Sequence, residues 1–115
     1  MARFTYTILS RAAPGREEEF KAWYAGQHIE DVLKMPGVVR GQLIDLGFQR
    51  VYDLDAPRYT LMTIYELEGD DPEPIINALR DASGQPHMPA TDTLDKSGMI
   101  QVAGTVIASG EGSAA

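Results

Sequence analysis

Residues 14–38, PGREEEFKAWYAGQHIEDVLKMPGV, decide how the rest of the chain is read. Pro14-Gly15 and Pro36-Gly37 bracket the segment, because proline and glycine punctuate regular structure. Glu17, Glu18 and Glu19 fall in what would be a first helical turn, where the helix dipole favours carboxylates. Phe20, Trp23 and Tyr24 follow at i, i+3 and i+4, an apolar stripe. At about 100° per residue, that stripe continues through Gln27, His28 and Asp31, while Ile29, Val32 and Leu33 point to the far side. One straight helix would change its buried face midway. The spacing therefore predicts a helix over 16–27, a break near Gly26 and a short second helix over 28–34. It also predicts that Gln27, His28 and Asp31 line a pocket rather than a dry core.

Outward from this segment, residues 4–9 (FTYTIL) are β-branched and aromatic and read as a first strand. Residues 38–46 read as a second strand with Arg40, Gln42 and Asp45 as polar members. A connection over 47–57 contains Tyr52 and turns at Ala56-Pro57. Residues 58–67 (RYTLMTIYEL) give the strongest strand signal. Asp71 reads as an N-cap with Pro72 at the first helical position. Ile75, Ile76, Leu79 and Ala82 keep helical spacing to about Ser83, and Gly84 suits the C-terminal cap. Residues 85–98 lack periodicity and read as a loop; residues 99–108 read as the last strand. The order β-α-β-β-α-β is that of a ferredoxin-like α+β unit, with both helices on one sheet face. Leu61, Tyr65 and Leu67 on one parity and Met62 and Ile64 on the other leave apolar side chains on the uncovered face. A homodimer is expected to cover it and to close a cavity between two sheets.

A length of 115 residues suits one domain, expected over 1–108 with a flexible tail over 109–115. The 17 acidic and 10 basic residues give a net charge of −7, which disfavours nucleic acid and anionic membranes as partners. Cysteine is absent, which removes disulfides, thiolate catalysis and thiolate metal sites. The opening MARFTYTILSRAAPG has no long apolar run, so a cytoplasmic protein without a leader is expected. No Gly-rich phosphate loop, nucleophile elbow or H-E-x-x-H occurs, so no flavin or nicotinamide cofactor is expected.

Trp23, Tyr24, His28, Ile29, Asp31, Val32, Leu33, Pro36, Gly37 and Val38, placed after a first strand in this element order, resemble the EthD-like branch of the dimeric α+β barrel superfamily. The resemblance in element order covers residues 3–108; its specific part lies within 14–38. It implies a dimer of ferredoxin-like units, each with a mostly apolar cavity holding a few polar groups. The superfamily includes muconolactone isomerases, polyketide cyclases, monooxygenases, haem-degrading enzymes and proteins of unassigned role, so fold alone does not choose an activity. The stretch 84–90, GQPHMPA, is also similar to the His-Pro-x-His loop of the cyclases, which implies a base at His87; Gln85 stands where that pattern has its first His.

His28 and Asp31 are three apart, a spacing at which a carboxylate can reach an imidazole on one helix face. Asp31 would then orient His28 as a general base near neutral pH. The plainer reading is a capping Asp31 and a packing His28. His87 is either a second acid–base group or an exposed loop residue, and the two histidines carry no local metal-ligand motif. Haem needs an axial ligand, and beyond the presence of His87 nothing favours it. Tyr6 and Tyr65, within strands, would either donate to a developing oxyanion or simply pack. Trp23 and Tyr24 would form the cavity wall, and Arg40 would pair with Asp45 or with a substrate carboxylate. The expected activity is that of a cofactor-independent lyase, isomerase or cyclase acting on a small apolar, oxygenated ring or polyketide-like compound. The alternatives are a cofactor-free monooxygenase and a non-catalytic protein that binds a hydrophobic or aromatic small molecule.

Overall fold

The computed structural model describes residues 2–52 and 58–113. Four strands, β1 (Ala2–Ala12), β2 (Val38–Asp45), β3 (Leu61–Gly69) and β4 (Leu94–Gly104), form one antiparallel sheet in the order β2-β3-β1-β4. Helices α1 (Glu17–Trp23) and α2 (Ile29–Leu33) lie between β1 and β2, and α3 (Pro72–Ala82) lies between β3 and β4. This is the ferredoxin-like α+β arrangement expected. The turn expected at Ala56-Pro57 lies outside the described residues.

Burial follows strand parity, as it must when one face of a sheet is packed and the other is not. Phe4, Tyr6, Ser10 and Ala12 of β1, with Leu61, Thr63, Tyr65 and Leu67 of β3, are buried under the helices. Two apolar clusters result. Phe4, Tyr6, Val32, Tyr65, Leu67, Leu79, Ala82 and Met88 form one; Ala12, Phe20, Tyr24 and Leu61 form the other. The opposite face carries the half-buried Leu9, Met62 and Ile64 and the exposed Ile100 and Val102. Among the described residues, no helix is long and apolar enough to cross a membrane.

Several boundaries differ from expectation: β1 is longer at both ends than residues 4–9, β4 ends at Gly104 rather than at 108, and three further differences bear on the site. The chain does not break near Gly26: Tyr24–His28 form a π-helical turn that joins α1 to α2 without interruption. The Ile29 N–H donates to the Tyr24 carbonyl, five residues back. A π turn holds one more residue than an α turn, so everything after it is rotated back by about one residue, ~100°. That rotation returns Val32 to the face of Phe20, and both are buried. The apolar stripe is thus continuous, and Gln27 is exposed instead of lining a pocket. The third strand starts at Leu61 rather than at 58. The Gln49 side chain occupies the preceding backbone, accepting from Arg58 N (3.1 Å) and Tyr59 N (2.9 Å) and donating to Tyr59 O (2.6 Å). The last strand begins at Leu94, inside the stretch expected to be a loop, because Arg11 and Ala12 extend β1 far enough to pair with Asp95 and Leu94. Asp71 caps α3 as expected, its carboxylate accepting from Glu73 N at 2.9 Å.

Candidate functional site

Two hollows stand out among the described residues. The larger, about 520 Å³, lies against the open sheet face beside Arg3, Arg40, Gln42, Ile64 and Glu66. Its charges are paired: Glu66 accepts from Arg3 and forms an ion pair with Arg40, whose Nε lies 3.2 Å from the carboxylate. The smaller, about 310 Å³, sits between sheet and helices, near the lower bound for small-molecule sites. Tyr6, Ser10, Trp23, Tyr24, His28 and Tyr65 all line it, so it collects most of the chemistry the sequence singled out.

The π turn explains how His28 reaches this cavity. In an α-helix residues i and i+5 point about 140° apart; an i→i+5 turn stacks them. The His28 ring lies over Trp23, centroids 4.5 Å apart and planes at 17°. It meets Tyr24 edge-on, at 4.9 Å and 85°. Trp23 and Tyr24 are themselves edge-to-face at 5.7 Å, and Phe20 braces both from below. The imidazole is thereby fixed in a half-buried aromatic corner.

Burial pushes the His28 pKa below its ordinary value, and the nearby Asp31 charge partly opposes that shift. The ring is therefore neutral at pH 7 and able to accept a proton. Asp31 acts through its field alone: His28 Nδ1 and Asp31 Oδ2 are both buried without a protein hydrogen-bond partner. The hydrogen bond expected from their spacing is not made, and Asp31, expected to line the pocket, is not among the cavity-lining residues.

Tyr6 and Tyr65 face each other across β1 and β3, ring centroids 6.1 Å apart. Burial raises the Tyr6 phenol to about 12 and raises Tyr24 and Tyr65 as well, so all three hydroxyls stay protonated and can donate. Tyr65 OH and Ser10 Oγ are buried and have no protein partner in hydrogen-bond geometry. The Tyr65 ring fits because β2 carries Gly41 opposite it; a Cβ there would lie 2.8 Å from two ring carbons.

The remaining expectations separate. His87 is exposed and does not line the cavity, whereas Met88 is 1% exposed and does. A tight turn is responsible: Met88 N donates to Gln85 O at 2.9 Å and Gly84 N to Met88 O at 2.9 Å, sending the methionine inward. Arg40 lies on the outer sheet face and pairs with Glu66, not with Asp45, which pairs with Lys21 at 3.2 Å. The hollow that holds His28 belongs to one chain, between its sheet and its helices, and not to a space between two sheets. Ser10, Arg80, Lys96 and Gln101 also line it and were not singled out from the sequence. Ser10 was legible in principle, since it continues the inward parity of Phe4, Tyr6 and Ile8. Among the described residues no group of three or more His, Asp or Glu is placed to hold a metal ion.

No protein-family model matches the sequence, and no curated protein matches it either. Solved structures do. A Shewanella loihica PV-4 protein, provisionally assigned as a monooxygenase, superposes with a TM-score of 0.60 over 94% of this chain and 97% of its own, at 16% identity. An ethyl tert-butyl ether degradation (EthD) family protein from Bacillus halodurans C-125 superposes with a TM-score of 0.58 over 90% of this chain and 99% of its own, at 19% identity. The fold is therefore a ferredoxin-like α+β fold shared with these two proteins.

Proposed function

We propose that the chain is a cofactor-independent enzyme that removes a proton beside a carbonyl of a small oxygenated ring compound, with His28 as the base. The observation that carries this reading is the stacking of the His28 ring over Trp23 at the wall of a cavity that Tyr6 and Tyr65 also line, where burial holds the imidazole pKa below its ordinary value. In the reaction, His28 takes the proton from the carbon next to the carbonyl, and the C–H electron pair moves onto the carbonyl oxygen. Tyr65 or Tyr6 donates to that oxyanion, which stabilises the charge as it forms. Return of the proton from His28 to a different carbon, as the carbonyl re-forms, completes an isomerisation; in a dehydration the carbonyl re-forms as a β C–O bond breaks, and the leaving hydroxyl takes the proton from His28 and departs as water. Asp31 offsets part of the burial penalty on imidazolium as it forms. His87, on the surface, has no part in this scheme.

We propose that a second copy packs on the open sheet face, where the half-buried Leu9, Met62 and Ile64 and the exposed Ile100 and Val102 would otherwise meet water. A cofactor-free monooxygenase is the second reading, favoured by the assignment of the Shewanella structure. In that version His28 would generate a substrate anion that reacts with oxygen. The test uses 2-tetralone in deuterium oxide, with exchange at the carbon beside the carbonyl followed by NMR. Exchange faster than in buffer, lost in His28→Gln while circular dichroism is unchanged, is expected. Wild-type protein that exchanges no faster than buffer, or a His28→Gln variant as fast as wild type, overturns the proposal. Oxygen consumption with the same compound marks the second reading.

A further inference from the structure

The residues lining the sheet–helix cavity divide by depth. Tyr6, Ser10, Tyr24, Tyr65, Leu79 and Met88 are buried and form its floor. Arg80, Ser83, Lys96 and Gln101 are exposed and form its rim. Two cations stand at that rim, and no carboxylate is among the described residues lining the cavity. In a chain with 17 acidic and 10 basic residues, a rim left to chance would carry acids. We infer that the cavity takes its ring compound as a carboxylate, with Arg80 and Lys96 receiving the charge at the rim and the ring directed toward the hydroxyls of the floor. The inference rests on the cavity being the ligand site proposed above.

The fold holds Lys96 in place by a device of its own. Between Leu9 and Arg11 of β1, a two-residue step, β4 runs from Ile100 back to Asp95, a five-residue step. This wide bulge changes the parity of β4, so that Leu94 and Lys96 on one side of it and Met99 and Gln101 on the other all line the cavity. Bulges re-aim side chains beside functional sites. This one is braced on several sides. Asp95 accepts from Ser97 N at 2.9 Å and Ser97 Oγ at 2.7 Å and pairs with Arg11 Nε at 3.1 Å. Gly98, at a φ of 70°, offers its carbonyl to Tyr59 OH at 3.0 Å. Arg80 is engaged only at 3.3 Å by its neighbour Asp81, both side chains being exposed. That contact uses one edge of the guanidinium and leaves further N–H donors for a ligand.

The orientation follows from desolvation. A carboxylate at the floor would meet neutral hydroxyls among buried rings, where a charge is penalised. The same burial that raises the three phenols opposes any second anion there. At the rim the carboxylate keeps part of its hydration and gains two cations.

The experiment is a calorimetric titration with 1-naphthoate and, separately, its neutral isostere 1-naphthamide, on wild type, Arg80→Gln, Lys96→Gln and the double variant. Wild type is expected to bind the acid roughly fivefold or more tighter than the amide, each single substitution to cut that preference roughly two- to fivefold, and the amide affinity to stay level. High salt should erode the preference, since rim charges are screened. Acid and amide binding equally, or a preference that survives the double substitution, overturns the inference while leaving the cavity as a ligand site. Failure of both compounds to bind overturns the inference together with the reading beneath it.

Discussion

Replacing Gly41 by alanine tests how tightly the cavity floor is built. A strand glycine costs conformational entropy, so on propensity alone Gly41→Ala should stabilise the protein by about 0.4–1 kcal/mol. The geometry gives the opposite sign. A Cβ at position 41 would lie 2.8 Å from both Cδ1 and Cε1 of Tyr65, well inside ordinary contact. Tyr65 is 1% exposed and packed on Tyr6, so its ring cannot swing into solvent. Overpacking of this kind costs about 1–3 kcal/mol. Set against the entropic gain, a net loss of about 1–2 kcal/mol is expected, lowering Tm by roughly 4–8 °C per kcal/mol for a domain near this size. Chemical denaturation followed by Trp23 fluorescence measures it. Tyr65→Val in the same chain removes the obstructing ring, so the double variant should show positive coupling of at least about 0.5 kcal/mol. A neutral or stabilising Gly41→Ala, or additivity with Tyr65→Val, would show that the ring is not seated on the glycine.

Gly26, where an added Cβ would meet nothing within 4 Å and both chain neighbours are helical, should behave oppositely: Gly26→Ala is expected to raise stability by about 0.5–1 kcal/mol in the same denaturation assay. Asp71→Ala removes the acceptor of Glu73 N at the start of α3, and a loss of about 0.5–2 kcal/mol is expected by thermal unfolding. His28 provides a pH signature. Its pKa is lowered in the folded chain, so between its ordinary value near 6.5 and the folded value the unfolded chain binds more protons and stability rises with pH. The stabilisation is complete above that ordinary value and is lost as pH falls through the folded one. Glu19, Asp92 and Asp95 have lowered pKa values too, but their losses fall in the carboxylate range, well below that of histidine. Unfolding midpoints from pH 7 to 5 should therefore fall in wild type and flatten in His28→Gln; an unchanged slope would place the imidazole in solvent.

The element order was legible because each element carries its own local signal: turn residues at Pro14-Gly15 and Pro36-Gly37, the Asp71-Pro72 cap, and the alternation of 61–67. What escaped depends on partners distant in the chain. The start of β4 at Leu94 is set by Arg11 and Ala12 across the sheet, which no pattern within 85–98 reveals. Arg40 found Glu66 because β2 pairs with β3 in that register, and both residues point to the outer face. His87 and Met88 differ by one residue, and a single turn decides which enters the cavity. The midway change of face within 20–33 was a real signal wrongly resolved. An offset of about 100° is one residue, and one inserted residue is a π turn, whereas a break would leave the angle arbitrary.

That turn also links stability to the site. π geometry is rare and is frequent at functional sites where it occurs, and here the same inserted residue does two things at once. It restores Val32 to the buried stripe, which a straight helix would have lost, and it lays His28 over Trp23. Packing alone would accept any apolar residue at position 28, with better transfer energy than a half-buried imidazole whose Nδ1 has no protein partner. Ser10 Oγ and Tyr65 OH repeat the pattern on the sheet side. Three buried polar atoms beside one cavity, each without a protein partner, cost more than a core assembled for stability would carry. On the reading proposed above, the compound that fits best is one with an oxygen at its inner end and a charge at its outer one.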